Sequence, residues 1–363
     1  MKICIVAGAR PNFMKVAPLI HAIRHRQQKG CDLSYQLVYA GDEEDPTLET
    51  TLFDDLGIDP PQVYLHAESE SLNVLAGNMM FCFDEYLASH PTDVVIVVDD
   101  LASTMAASIT TKKRGVMLAH LVAGTRSFDI NMPKEINRLV IDGLSDLLFT
   151  AGAAGDSNVN RGGGELAKTF MVGNILMDTL RSNYDQLKKP DIITSHGFGE
   201  KDYLALTINR KAILRDMDKL HDLLNAVAEG AKGTPVIAPV REEAANAIES
   251  IQPRLPFVIC PPLSYLEFGW LVAHAKGIIT DSGNVAEEAT FSSVPCITLN
   301  SYTEHYETVS VGSNMLVGED PVQLRGLLSD IVDGHWKACQ LPDRWDGRTA
   351  DRIITILLGI KTP

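Results

Sequence analysis

A short apolar strand that runs through a glycine-containing turn directly into a helix occurs twice in this chain, as KICIVAGARPNFMK at 2–15 and as KGIITDSGNVAEEA at 276–289. Such a turn points backbone N–H groups and the positive end of the helix at whatever lies above it, which makes a natural phosphate seat. Two seats imply a phosphorylated ligand held between two α/β domains. Apolar runs alternate with amphipathic stretches along most of the chain. Strands are expected at 3–7, 35–39, 94–98, 116–121, 147–150 and 169–172, then at 203–207, 236–239, 257–259, 277–280 and 296–299. Helices are expected at 13–28, 72–88, 104–114, 133–144, 214–231 and 266–275. This alternation means parallel βαβ units, and right-handed crossovers turn them into doubly wound sheets covered on both faces.

A chain of 363 residues, 45% hydrophobic, has enough apolar material for two cores. Periodicity fails between 178 and 202, where Pro, Gly and charge gather, so the expected division is 1–180 and 181–350. Residues 351–363 are expected to carry a C-terminal helix able to pack on either domain. GGGEL at 162–166 reads as a surface turn, because it does not directly follow a strand. No apolar run approaches a membrane span, and the N-terminal run breaks at Gly8, so a cytoplasmic protein without a membrane partner is expected. The net charge of −15 argues against nucleic acid as a partner. An anionic ligand must instead be met by local devices. The six cysteines show no paired spacing, and Cys4, Cys260 and Cys296 fall in apolar runs as buried thiols. No histidine grouping suggests a metal, and no cofactor is expected.

In the second turn, Ser282 and Gly283 sit at a helix start where their N–H groups can receive phosphate oxygens, and Glu288 can accept from the vicinal hydroxyls of a ribose. The same stretch also reads as a capped helix with surface acids. Phe268 lies near a helix start and can stack on a base or simply fill core. In the first turn, Arg10 and Lys15 are cations at the carboxyl end of the first strand, where doubly wound sheets bind their ligands.

The segments GARPNFMKVAPLI, VVDDLASTMAAS, HLVAGTRSFDINMPKEINRLVIDGLSDLLFT, VGNILMDTL, PPLSYLEF and TDSGNVAEEATFSSVPCITLNSYTEHYETVSVGSNMLVG resemble, in the same order, those of the non-hydrolysing UDP-N-acetylglucosamine 2-epimerases. The resemblance covers about residues 1–359. It implies two Rossmann-like domains of the B-type glycosyltransferase (GT-B) fold, a UDP-sugar in the interdomain cleft, and a homodimer. It also assigns Phe268 to base stacking, Ser282 and Gly283 to the diphosphate, Glu288 to the ribose, and Arg10, Lys15, Arg138 and Arg210 to ligand binding. The implied reaction eliminates UDP from C1 as a base removes the C2 proton, then returns UDP after protonation on the opposite face, which requires carboxylates and cations.

The chain departs from that family where protons move. The family's His-Val-Glu-Ala-Gly reads His120-Leu121-Val122-Ala123-Gly124, and its Pro-Glu-Glu reads Pro133-Lys134-Glu135. A His before Arg210 is replaced by Asn209, a later His-Pro reads Arg241-Glu242, a Gly-Asp pair reads Asp99-Asp100, and a Gly-Gln-His turn reads Gly41-Asp42-Glu43. Asp100 is retained, and Asp100 with Glu135 are the candidate catalytic residues. Three readings stand at this point: a 2-epimerase interconverting UDP-GlcNAc and UDP-ManNAc, a hydrolysing enzyme on a related nucleotide sugar, and a UDP-sugar binding protein without turnover.

Overall fold

The computed structural model describes residues 1–48, 51–161, 167–251 and 257–360, so the GGGEL segment lies outside the described residues. The chain divides into two compact units: Met1–Ser182 with Asp343–Pro363, and Asn183–Pro342. Each is built on one parallel sheet.

The first unit's sheet contains β1 (Lys2–Ala7), β2 (Ser34–Tyr39), β3 (Val63–Tyr64), β4 (Val94–Val98), β5 (Met117–Ala123), β6 (Leu147–Thr150) and β7 (Lys168–Met171), in the order β3-β2-β1-β4-β5-β6-β7. The VVIVV run of β4 is buried at every position, because helices cover both faces and leave no polar side for the strand to show. The winding reverses between β1 and β4, which places a crevice at their carboxyl ends. The second unit repeats the plan with β8 (Leu204–Thr207), β9 (Val236–Pro239), β10 (Phe257–Cys260), β11 (Gly277–Thr280), β12 (Cys296–Thr298) and β13 (Asn314–Leu316), in the order β10-β9-β8-β11-β12-β13. Its reversal lies between β8 and β11. The two repeated turns follow β1 and β11, so each borders its own unit's switch point.

Local rules explain where elements break. The single helix expected over 214–231 is two helices, Lys211–Arg215 and Met217–Gly230, because the Asp216 carboxylate accepts from Lys219 N at 3.2 Å and starts the second one. The C-terminal helix, Thr349–Gly359, belongs to the first unit. Asp178 accepts from Thr349 N at 3.0 Å and Ala350 N at 2.8 Å, while Ile353, Ile354 and Leu357 are buried. Burial pushes the Cys4 and Cys296 thiols up to about 12 and Cys260 up to about 11, so these sulfurs act as small hydrophobes. Among the described residues, no helix is long and apolar enough to cross a membrane.

Candidate functional site

At the first unit's switch point, the backbone donors expected to be free are already used. Gly8 N and Ala9 N both donate to Asn12 Oδ1, at 2.8 and 3.1 Å, and Pro11 has no N–H to offer. Two of the turn's backbone donors are therefore taken by the Asn12 side chain of its own helix, which leaves fewer for an anion than the sequence suggests. Lys15 is buried, and its Nζ lies 2.7 Å from Asp99 Oδ1. Asn12 Nδ2 donates to the other Asp99 oxygen at 2.8 Å. Arg10 opens the helix Arg10–Gln28 and is half-buried.

Next to Asp99, Asp100 accepts from Arg138 Nε at 2.7 Å, with Arg138 Nη2 2.5 Å from the same oxygen and Lys134 Nζ 3.5 Å from the other. Burial alone would raise this carboxyl, but the nearby charges of Lys134, Arg138 and Lys15 outweigh it and hold Asp100 below the usual carboxylate range. Arg138 also donates to Glu135 Oε2 at 3.2 Å, and Ser127 supplies its N–H and hydroxyl to the same oxygen at 2.8 and 2.9 Å. Burial opposes ionisation of Glu135, yet the Ser127 and Arg138 hydrogen bonds again lower it. Both candidate carboxylates are thus held as anions, in the form that can accept a proton, although the same partners weaken them as bases.

The helix Pro133–Leu144 that carries this cluster turns its charged side inward. Glu135, Arg138 and Asp142 are buried, whereas Ile136 and Leu139 are exposed. Asp142 lies 2.6 Å from His120 Nδ1 and 2.6 Å from Arg126 Nη1, and His120 Nε2 is 3.0 Å from the Asp99 carbonyl oxygen. Lys15, Arg126, Arg138 and Lys134 are therefore interleaved with Asp99, Asp142, Glu135 and Asp100, so the cations and carboxylates of the cluster balance. Neither Asn12 nor the His120–Asp142–Arg126 relay was singled out from the sequence. The His of HLVAG and the Asp in the third turn of a charged helix face were the available signals.

Val122 sits at the rim of this cluster, where the pairing of β5 with β6 slips between Leu121 and Ala123. Its φ is +69°, a left-handed conformation that a β-branched residue adopts only under strain. Gly124 follows at φ +79°, and a Cβ there would stand 2.2 Å from the Gly155 carbonyl oxygen, so only glycine fits. The backbone keeps a strained bulge although the side chain on it carries no proton.

In the second unit, Asp281 Oδ2 accepts from Asn209 N at 2.7 Å and Arg210 N at 2.6 Å, tying the end of β8 to the end of β11. The Arg210 guanidinium donates to the Leu299 carbonyl at 2.6 Å and to Glu319 at 3.3 Å, so it is engaged within its own unit. Ser282 is the N-cap of the helix Gly283–Phe291 but makes no side-chain cap bond. The first-turn N–H groups have no intrahelical acceptor, which leaves an anion seat that the first turn lacks. The ring of His305 lies over it: a Cβ on Gly283 would be 3.0 Å from His305 Cδ2, and His305 Nδ1 is 2.9 Å from buried Glu287. His305 escaped the sequence reading because nothing local links TEHYE to TDSGN. Glu288 is buried on the same helix, and Phe268 is partly buried against the core of this unit.

The chain matches the family described as UDP-N-acetylglucosamine 2-epimerase over residues 25–358. It is 29% identical to the UDP-N-acetylglucosamine 2-epimerase of Methanocaldococcus jannaschii, over 98% of this chain and 99% of that one. It is 31% identical to the UDP-2,3-diacetamido-2,3-dideoxy-D-glucuronate 2-epimerase of Pseudomonas aeruginosa, over 88% of each chain. The crystal structure of the Methanocaldococcus jannaschii enzyme in complex with UDP-GlcNAc and UDP is similar with a TM-score of 0.86 at 28% identity, covering 99% of this chain and 100% of that one.

Proposed function

The chain belongs to the UDP-N-acetylglucosamine 2-epimerase family, and from that premise we propose that it binds a UDP-activated amino sugar and inverts it at C2 by elimination and re-addition of UDP. The observation that carries this reading is Asp100, a buried carboxylate held ionised at the end of β4 by Arg138 and Lys134. An anion so held can take the C2 proton, and the helix start at Ser282–Gly283 can receive the departing diphosphate. UDP-GlcNAc is the first substrate to test, since the Methanocaldococcus jannaschii enzyme is solved with it. The uronate named for the Pseudomonas relative is the second. Lys134 favours it, because an ammonium with a half-exposed side chain is available to a sugar carboxylate.

A second reading, binding without turnover, is favoured by Val122. It has no proton to move at a position the resemblance assigns to a glutamate. The two separate on one experiment: incubation of UDP-GlcNAc with the protein in D₂O, read by NMR at C2. Deuterium at C2 is expected for the epimerase; bound sugar without exchange contradicts it and supports the binding protein. In the latter case Val122→Glu with Lys134→Glu together should gain exchange if only the acid and base have been lost. The reading includes a homodimer formed through the first unit, supported by Leu72, Val74, Phe81, Ile136 and Leu139 exposed on its helices. Sedimentation of a Phe81→Glu, Leu139→Glu variant as a monomer is expected, and an unchanged mass relative to the wild type would contradict that surface.

A further inference from the structure

The Asp99 carboxylate stands where a ligand anion would be expected. It follows the last residue of β4 with φ +58°, a conformation in which glycine is at ease and most side chains are not. The surroundings fix it there: Asp99 N donates to the Leu121 carbonyl at 3.3 Å, and His120 Nε2 lies 3.0 Å from the Asp99 carbonyl oxygen. In that pose one carboxylate oxygen takes the Lys15 ammonium at 2.7 Å, and the other takes Asn12 Nδ2 at 2.8 Å. Asn12 in turn closes the Gly8 and Ala9 N–H groups at 2.8 and 3.1 Å. Gly8 N, Ala9 N and the Lys15 ammonium are therefore all engaged by side chains of the protein itself.

We infer that Asp99 is an internal counter-anion that competes with an anionic group of the ligand for Lys15, and so sets how tightly the protein holds UDP and UDP-sugars. This rests on the UDP-sugar reading and deepens it. Asp99 is the more exposed partner, its side chain 17% accessible against 7% for Lys15, so the carboxylate is the more open half of the pair. Binding must then either displace the carboxylate or tolerate like charge beside it, and both weaken the complex. The effect of the carboxylate is on affinity, and through affinity on release of the nucleotide.

Calorimetric titration of UDP into the full-length protein at low salt tests this with three variants, Asp99→Asn, Lys15→Met and the double variant. Asparagine keeps the shape, tolerates the left-handed backbone and can still accept from Asn12. Asp99→Asn is expected to bind UDP about ten-fold more tightly than the wild type. Lys15→Met alone is expected to weaken binding, because the Asp99 carboxylate then stands beside the ligand anion without its ammonium. The double variant should lose the whole gain, which a purely structural role for Asp99 would not produce. Unchanged or weaker binding by Asp99→Asn, alongside measurable binding by the wild type, overturns the inference and leaves the UDP reading intact. Absence of binding by the wild type and every variant overturns both. Should Asp99→Asn lower the melting temperature, the UDP-induced rise in that temperature gives the same comparison on folded protein.

Discussion

Arg138 does most to decide what the first unit's cluster can be, because its guanidinium is shared between Asp100 and Glu135. It is almost fully buried, so removing it takes the shared counter-charge from two buried carboxylates, leaving Asp100 with Lys134 and Glu135 with Ser127. Arg138→Met is expected to cost about 3–5 kcal/mol in stability, read by urea unfolding, and to raise both carboxyls from their lowered values. An unchanged unfolding midpoint would contradict the shared-anchor account. At this scale the sequence was informative about residue types and silent about pairing. Asp100, Glu135 and Arg138 were each readable as site candidates from KEINR and DDLAS. That one arginine holds both acids, or that Lys15 is already paired, depends on β1, β4 and the helix Pro133–Leu144 converging in space.

Among the elements, long alternating patterns were legible and short edges were not. The central strands β1, β4 and β11 are apolar on both faces, so composition alone marks them. The edge strands β3 and β13, of two and three residues, went unread because they are too short to carry a period and half their residues face outward. The split at Asp216 was missed for a related reason: the apolar period continues across a side-chain cap. Asp178 shows what such a cap does to stability. Burial raises its carboxyl to about 6 despite the N–H groups of Ala350 and Thr349 that lower it. The folded state therefore binds this proton more tightly than the unfolded chain, whose value is near 3.8. The stabilisation is complete below the unfolded value and lost as pH rises through the folded one, amounting to up to about 3 kcal/mol. Urea midpoints measured from pH 5 to 7.5 should fall for the wild type with a component that is missing in Asp178→Asn; parallel curves for the two proteins would contradict this assignment.

At the scale of the whole molecule, the two doubly wound units differ in what they present: the first concentrates carboxylates and cations in a cluster whose charges cancel, and the second offers a helix start without a side-chain cap. Chain topology could be read from alternation, but the return of the chain to the first unit at Asp343 could not, since the apolar face of Thr349–Gly359 carries no mark of which core it completes. The central claim is that uridine diphosphate is held at Ser282–Gly283. Titration of UDP into the wild type and into Gly283→Val tests it most directly, since a branched side chain there would meet the His305 ring and cover the seat. The account predicts saturable binding by the wild type and loss of at least about a hundred-fold in affinity for the variant, with the fold retained by circular dichroism. Equal affinity in the two proteins, or no binding heat in the wild type, would contradict it.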